Sequence, residues 1–254
     1  MLQTILHGTP TDRPPLLIAH GLFGSGRNWG VIAKRLSDSR QVIAVDMRNH
    51  GASPWSDSHT YPDMAADLAE VIAAHGGRAD VLGHSMGGKA AMVLALTQPE
   101  AVSRLIVADI APVAYSHTQA DKIAAMRQVD LAHVPDRATA EAQLGPLEPG
   151  LAAFFLQSLD MKERRWRLNL DALEANMGPI LDFPDVAGQF TGPTLFLTGA
   201  ASDYVRAESR DRIRALFPRA RFAKIPGAGH WLHAEKPREF EAAVRAFLDM
   251  AEAG

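Results

Sequence analysis

The sequence predicts an α/β protein built on a mostly parallel sheet with helices on both faces, and three observations predict it. The first is a series of short apolar runs bounded by turn residues: PLLIAH (15–20), QVIAVD (41–46), ADVLGH (79–84), RLIVADI (104–110), TLFLTG (194–199) and RFAKIP (221–226). Strands covered on both faces read as such unbroken runs. The second is what lies between them, segments of helical period at 61–76, 86–100, 206–217 and 237–254. Strand and helix in repeated alternation imply a parallel sheet wrapped by helices. The third is the single break in that alternation, between the run ending near Ile110 and the run starting near Thr194. So long an interval is not expected to be a structureless loop. Its pieces at 117–130, 137–145, 150–159 and 162–178 read as helices separated by Pro and Gly. The expected organisation is a core of residues 1–111 and 191–254 carrying a helical cap, or lid, at 112–190.

Composition sets the outer limits. At 254 residues and 47% hydrophobic, the chain buries a large core as one domain with an insertion. A formal charge of -3 gives no basic excess to attract nucleic acid or an anionic membrane surface. With no cysteine, disulfides, thiolate catalysis and cysteine-ligated metals are excluded. The start, MLQTILHGTP, lacks the charged and apolar regions of a leader, and no apolar run approaches the ~18 residues of a membrane span. A cytoplasmic protein without stable membrane insertion is the expectation.

Chemistry concentrates where the run 79–84 hands over to the helix at 86–100. GHSMG, residues 83–87, places Ser85 between small residues at this junction. An exposed nucleophile needs a sharp, strained strand-to-helix turn, and glycines two positions to either side let the neighbouring chains pass. The helix that follows aims its free N–H groups at the serine, where they stabilise negative charge on a reacting oxygen. Alone, the pentapeptide is also compatible with an ordinary glycine-rich turn. IAHGLFGSG (18–26) adds a second loop directly after an apolar run, in which the Leu22 amide, or alternatively that of Phe23, pairs with the Met86 amide as an oxyanion hole. A base is then required, because a serine hydroxyl is a weak nucleophile. His230, in the small-residue loop IPGAGHWLH (225–233) between the last strand and the last helix, is the candidate. His233 competes, but its place at the start of a helical segment suggests the surface.

HGLFGSGRNW, DMRNHGASP, GHSMGG, DIAPV and GAGHW together resemble the α/β-hydrolase superfamily, in particular its small bacterial acyl-ester hydrolases and the mitochondrial relatives of the α/β-hydrolase-domain group. The resemblance spans the chain outside the insertion. It implies the α/β-hydrolase fold, a serine–histidine–acid triad and hydrolysis of esters or thioesters through an acyl-enzyme, with no metal or organic cofactor. It leaves two aspartates competing for the acid. Most of the superfamily places it three residues after the glycine that ends TLFLTG, and here that position is Ser202, with Asp203 one residue late. A one-residue shift in a tight turn redirects the side chain, and Asp203 is suited to cap the helix expected from Arg206. Asp109, at the end of RLIVADI, matches the position that some members use, and is the preferred acid with Asp203 as the alternative.

The insertion offers an apolar roof in Phe154, Phe155 and Trp166, which with Trp231, His84 and Asn49 complete the candidate pocket residues. Such a roof suits an apolar acyl group, although packing of the insertion on the core explains most of these side chains equally. Lys162, Arg164, Arg165 and Arg167 suit a phosphate-bearing leaving group such as a coenzyme A thioester, or simply a solvated helix face. The expected partner is thus a small ester or thioester. Carbon–carbon bond hydrolysis, perhydrolase chemistry and a non-catalytic ligand-binding homologue are the rival expectations on the same fold.

Overall fold

The sheet explains why the chemistry gathers where it does. In the structure, a computed structural model that describes residues 1–250, seven strands lie in the order β1-β3-β2-β4-β5-β8-β9. They are β1 (Thr4–His7), β2 (Leu16–Ala19), β3 (Val42–Val45), β4 (Ala79–His84), β5 (Val102–Ala108), β8 (Thr194–Gly199) and β9 (Ala220–Ile225), with a separate hairpin of β6 (Leu159–Asp160) and β7 (Arg165–Trp166). Within the seven-stranded sheet only the edge strand β1 runs antiparallel, against β3; the other pairs of that sheet are parallel. From β2 the chain steps outward to β3 and returns to β4 on the other side, so the strand order reverses between β2 and β4. The loops leaving these two strands part there, and ligands of open α/β sheets collect in that crevice.

Alternate residues of each parallel strand feed opposite faces. Leu17, Val81, Leu105 and Val107 pack into one core with α2 (Tyr61–Ala74), α3 (Met86–Thr97) and α9 (Ser209–Leu216). Leu16, Ile18, Leu82 and Ile106 pack into the other with α1 (Gly30–Leu36), α10 (Leu232–Glu235) and α11 (Pro237–Leu248). α11 buries Phe240, Val244, Phe247 and Leu248, the stripe of an amphipathic helix. Residues 251–254, which end the helix expected over 237–254, lie outside the described residues. By contrast α3 is buried from Met86 to Leu96. A helix enclosed on all sides needs small residues, and Gly87, Gly88, Ala90, Ala91 and Ala95 supply them.

Between β5 and β8 the chain forms α4 (Ala120–Arg127), α5 (Arg137–Gln143), α6 (Leu151–Leu156), the β6–β7 hairpin, α7 (Leu170–Ala175) and α8 (Met177–Leu181). The helix expected over 162–178 is corrected: its first part is the turn and second strand of the hairpin. Asp160 accepts the amides of Lys162 and Glu163 and pairs with Arg167 at 2.7 Å, closing that turn before a helix can propagate. This connection has its own apolar cluster, including Ile123, Met126, Phe155, Trp166 and Leu173, which also takes in Phe23 from the loop after β2. Its exit is tied to the core: the carbonyls of Ile180, Leu181 and Asp182 accept from Tyr61 Oη, Lys89 Nζ and again Lys89 Nζ. Desolvation lowers buried Lys89 to about 7. Among the described residues no helix is long and apolar enough to cross a membrane.

Candidate active site

Ser85 stands at the junction of β4 and α3 with φ 51° and ψ -119°, a left-handed conformation that costs a non-glycine residue on the order of 1–3 kcal/mol. The glycines make the turn possible. A Cβ on Gly83 would lie 2.2 Å from the Gly87 carbonyl oxygen, and one on Gly87 would lie 2.4 Å from that of Ala19 at the end of β2. Both positions are therefore closed to any side chain. Gly21 is also close-packed, since its Cβ would lie 2.9 Å from His84 Nδ1 and 3.2 Å from the Ser85 Cβ, so the loop after β2 runs directly beside the serine.

His230 bridges Ser85 to Asp109. Its Nε2 lies 3.1 Å from Ser85 Oγ and its Nδ1 lies 2.7 Å from Asp109 Oδ2. A carboxylate only accepts, so Nδ1 carries the proton and Nε2 presents a lone pair to the serine hydroxyl. Asp109 is fully buried, with φ 53°. It is saturated by donors: Gly199 N to Oδ1 at 3.0 Å, and Ser202 Oγ to Oδ2 at 2.5 Å besides His230. Ser202, which stands where the sequence suggested an acid was missing, thus donates to the aspartate on the neighbouring strand. Asp203 points away, 77% exposed and paired with Arg206 at 2.7 Å. Nor does it cap the following helix, which begins at Ser209.

The amides of Leu22 and Met86, expected to form an oxyanion hole, make no hydrogen bond to a protein acceptor among the described residues. The Phe23 alternative is corrected, because its amide donates to His50 Nε2 at 3.2 Å. His50 in turn donates from Nδ1 to the Arg48 carbonyl, which fixes its tautomer as an acceptor for Phe23. The neighbouring His20 donates to the Gly21 carbonyl and accepts from the Met47 amide. Asp46 takes the amides of Gly26 and Ala52, and Arg48 pairs with Asp67. The stretch 46–53 thereby holds the loop after β2 from behind.

Several expected pocket residues serve structure instead. Asn49 is wholly buried; its side chain accepts from the Ser56 amide and Asn169 Nδ2 and donates to His59 Nδ1, spending its hydrogen-bonding capacity between loops. His84 lies behind the site, packed on Trp29, with Nε2 donating to the His230 carbonyl at 2.8 Å. It holds the histidine loop rather than a ligand. Trp166 is 5% exposed and donates from Nε1 to the Met126 carbonyl, inside the connection's own core. Phe155 is fully buried edge-on to Phe23. Phe154 and Trp231 remain half-buried, with ring centroids 5.4 Å apart, and so join the β5–β8 connection to the His230 loop. His233, expected at the surface, instead stacks on Trp29 at 4.1 Å.

The histidines behind the site are neutral near pH 7. Burial lowers His20 to about 4, His50 to about 3, His59 to about 2 and His233 to about 3, and lowers His84 well below the ordinary value. The residues that sequence reasoning passed over are Ser202 and Tyr204. Their signal is the turn GAASDY (199–204), where a serine occupies an acid's position. Tyr204 lies flat against His230, with centroids 3.9 Å apart and planes 17° from parallel.

Comparison with known proteins places the fold. The sequence pattern described as alpha/beta hydrolase fold matches residues 14–237. The mouse protein named sn-1-specific diacylglycerol lipase ABHD11 is 43% identical, over 92% of this chain and 81% of its own. Esterase YbfF of Escherichia coli K12 is 39% identical over 94% of each chain. A solved structure titled marine microorganism esterase superposes with a TM-score of 0.91 at 38% identity, covering 97% of this chain and all of that one. With its sheet order, its Ser85 turn and these relatives, the chain belongs to the alpha/beta hydrolase fold family.

Proposed function

We propose that the protein is a carboxylic ester hydrolase that works through an acyl-enzyme on Ser85, with His230 as base and then acid, and Asp109 as the orienting carboxylate. The observation that carries this reading is the continuous hydrogen-bonded chain from Ser85 Oγ through both nitrogens of His230 to Asp109. Because Asp109 holds the Nδ1 proton, the Nε2 lone pair can take the serine proton as Oγ attacks the acyl carbonyl. The developing oxyanion is received by the amides of Leu22 and Met86, which are positioned before reaction and need not reorganise. His230 then protonates the leaving alcohol, and water activated by the same nitrogen releases the acid.

Residues 112–190 are read as a cap over this centre. Phe154 and Trp231, with the partly exposed Leu22, would line the acyl side, which suits an apolar acid. The names of the relatives, a diacylglycerol lipase and esterases, support an ester with apolar acyl chains. Oxygen esters are favoured over coenzyme A thioesters. Arg164 donates to the carbonyls of Leu131 and Ala132, and Arg167 pairs with Asp160, so half of the basic run is spent inside the connection.

The test is steady-state hydrolysis of p-nitrophenyl esters from acetyl to palmitoyl. Ser85→Ala is expected to lower kcat by about 10⁴-fold or more, and Phe154→Ala to move the optimum toward longer chains. A wild-type protein that turns over none of these esters would contradict the reading and favour carbon–carbon hydrolysis, perhydrolase chemistry or a binding role.

A further inference from the structure

The ring of Tyr204 is more firmly placed than a half-buried tyrosine in a turn requires. Its carbonyl accepts from Tyr115 Oη at 2.7 Å, and that hydroxyl also receives the Ala111 amide at 3.0 Å. Its amide donates to Ser202 Oγ at 3.3 Å, the hydroxyl that donates to Asp109. Its own hydroxyl lies 3.1 Å from His117 Nε2, and the Tyr115 ring packs beside it at 5.3 Å. Backbone and ring are both fixed, and the face of the ring covers His230. One short turn therefore touches two members of the Ser85–His230–Asp109 chain, the acid through Ser202 and the base through Tyr204.

We propose that Tyr204 is a positioning residue for the reaction, its ring stacked on His230 so as to stabilise the imidazolium that forms as Ser85 gives up its proton. The proposal rests on the assignment of Ser85 and His230 made above. A neutral imidazole gains only dispersion from such a stack, whereas an imidazolium is also drawn to the negative face of the phenol ring. The added attraction exists only once the proton has moved, which makes it catalytic rather than a uniform gain in binding. Among the described residues no other group covers the face of the His230 ring, although the Asp109 carboxylate also favours the imidazolium from its edge. Asp109 meets the ring at its edge through Nδ1, and Ser85 meets Nε2. His84, at the end of β4, is tilted 41° to the ring at 4.8 Å, and it and His233 of α10 are kept uncharged by burial. His117 reaches the site only across Tyr204, and its own value is lowered by burial.

The experiment replaces Tyr204 with Leu, with Phe, and with phenylalanines carrying one to three ring fluorines, which keep the shape and drain electron density from the ring face. Expected for Tyr204→Leu is a three- to tenfold fall in kcat with KM within twofold, and an equal weakening of an aliphatic trifluoromethyl ketone, whose adduct on Ser85 pairs with a charged histidine. Tyr204→Phe is expected to retain both, and kcat to fall stepwise along the fluorine series. Turnover indifferent to fluorination, or a Phe variant as impaired as Leu, would overturn the proposal, the latter because the hydroxyl on His117 would then be what matters. Absence of ester turnover in the wild type as well would overturn the functional reading beneath it, an outcome that cannot be confused with the other two.

Discussion

At the C-terminal rim of the sheet, Phe23, Asn49, Ser85 and Asp109 follow β2, β3, β4 and β5, and all four hold left-handed backbone. The β5–β8 connection that packs against this rim contains one such non-glycine residue among those described, Arg164, in the turn of its hairpin. The two regions also place polar groups differently. At the rim, Asp109 takes three donors and the Asn49 side chain joins four partners, while the connection closes around an apolar cluster of Phe155, Trp166 and Leu173. Strained residues persist only where their surroundings over-determine them. The rim therefore holds its residues in fixed positions, whereas the connection follows ordinary packing.

The sharpest way to break this comparison is at Asp109. Asp109→Asn should lower kcat by about 10³- to 10⁴-fold, because the amide cannot hold the Nδ1–H tautomer of His230. Asp203→Asn, which loses only an exposed pair with Arg206, should stay within twofold. Steady-state ester kinetics on both variants check the ranking, and the reverse order would move the acid to the turn after β8.

A smaller effect is expected from acid. His20, His50, His59, His84 and His233 all have folded values below the ordinary 6.5, so below that pH the unfolded chain binds protons that the native rim refuses. Stability is complete above about 6.5 and is lost as pH falls toward the folded values, by on the order of 1–2 kcal/mol per buried histidine at pH 5. Urea midpoints that drop steeply between pH 7 and 5 are expected; a flat series would mean that these rings are not buried as a neutral set.

How much of this was legible in the sequence follows from the same contrast. Ser85 and the loop beginning at His20 could be picked out because glycine spacing records backbone approach, and a Cβ on Gly83 or Gly87 would come within 2.4 Å of a backbone carbonyl oxygen. The apolar runs gave the parallel strands because burial on both faces leaves no alternation. β1 escaped notice, since TILH is short and only half-buried at a sheet edge. The hairpin at 159–166 was masked by its charged residues, whose pairing with Asp160 no periodicity reveals. His84, Asn49 and Trp166 were expected to face a pocket because polar and aromatic residues beside a motif suggest contact with a ligand. Each instead satisfies a buried partner, a distinction that depends on where the side chain points. Ser202 is the clearest case, since a serine in an acid's position marks the turn as unusual but its partner, an aspartate on another strand, is visible only in the fold.

The most direct test of the central claim is stoichiometric labelling with a fluorophosphonate, read by intact-mass and peptide spectrometry on the wild type and on His230→Ala. One adduct per chain on Ser85, forming rapidly in the wild type and at least 10³-fold more slowly without His230, is the predicted result. A wild-type protein left unlabelled, or labelling of Ser85 that does not depend on His230, would contradict the account.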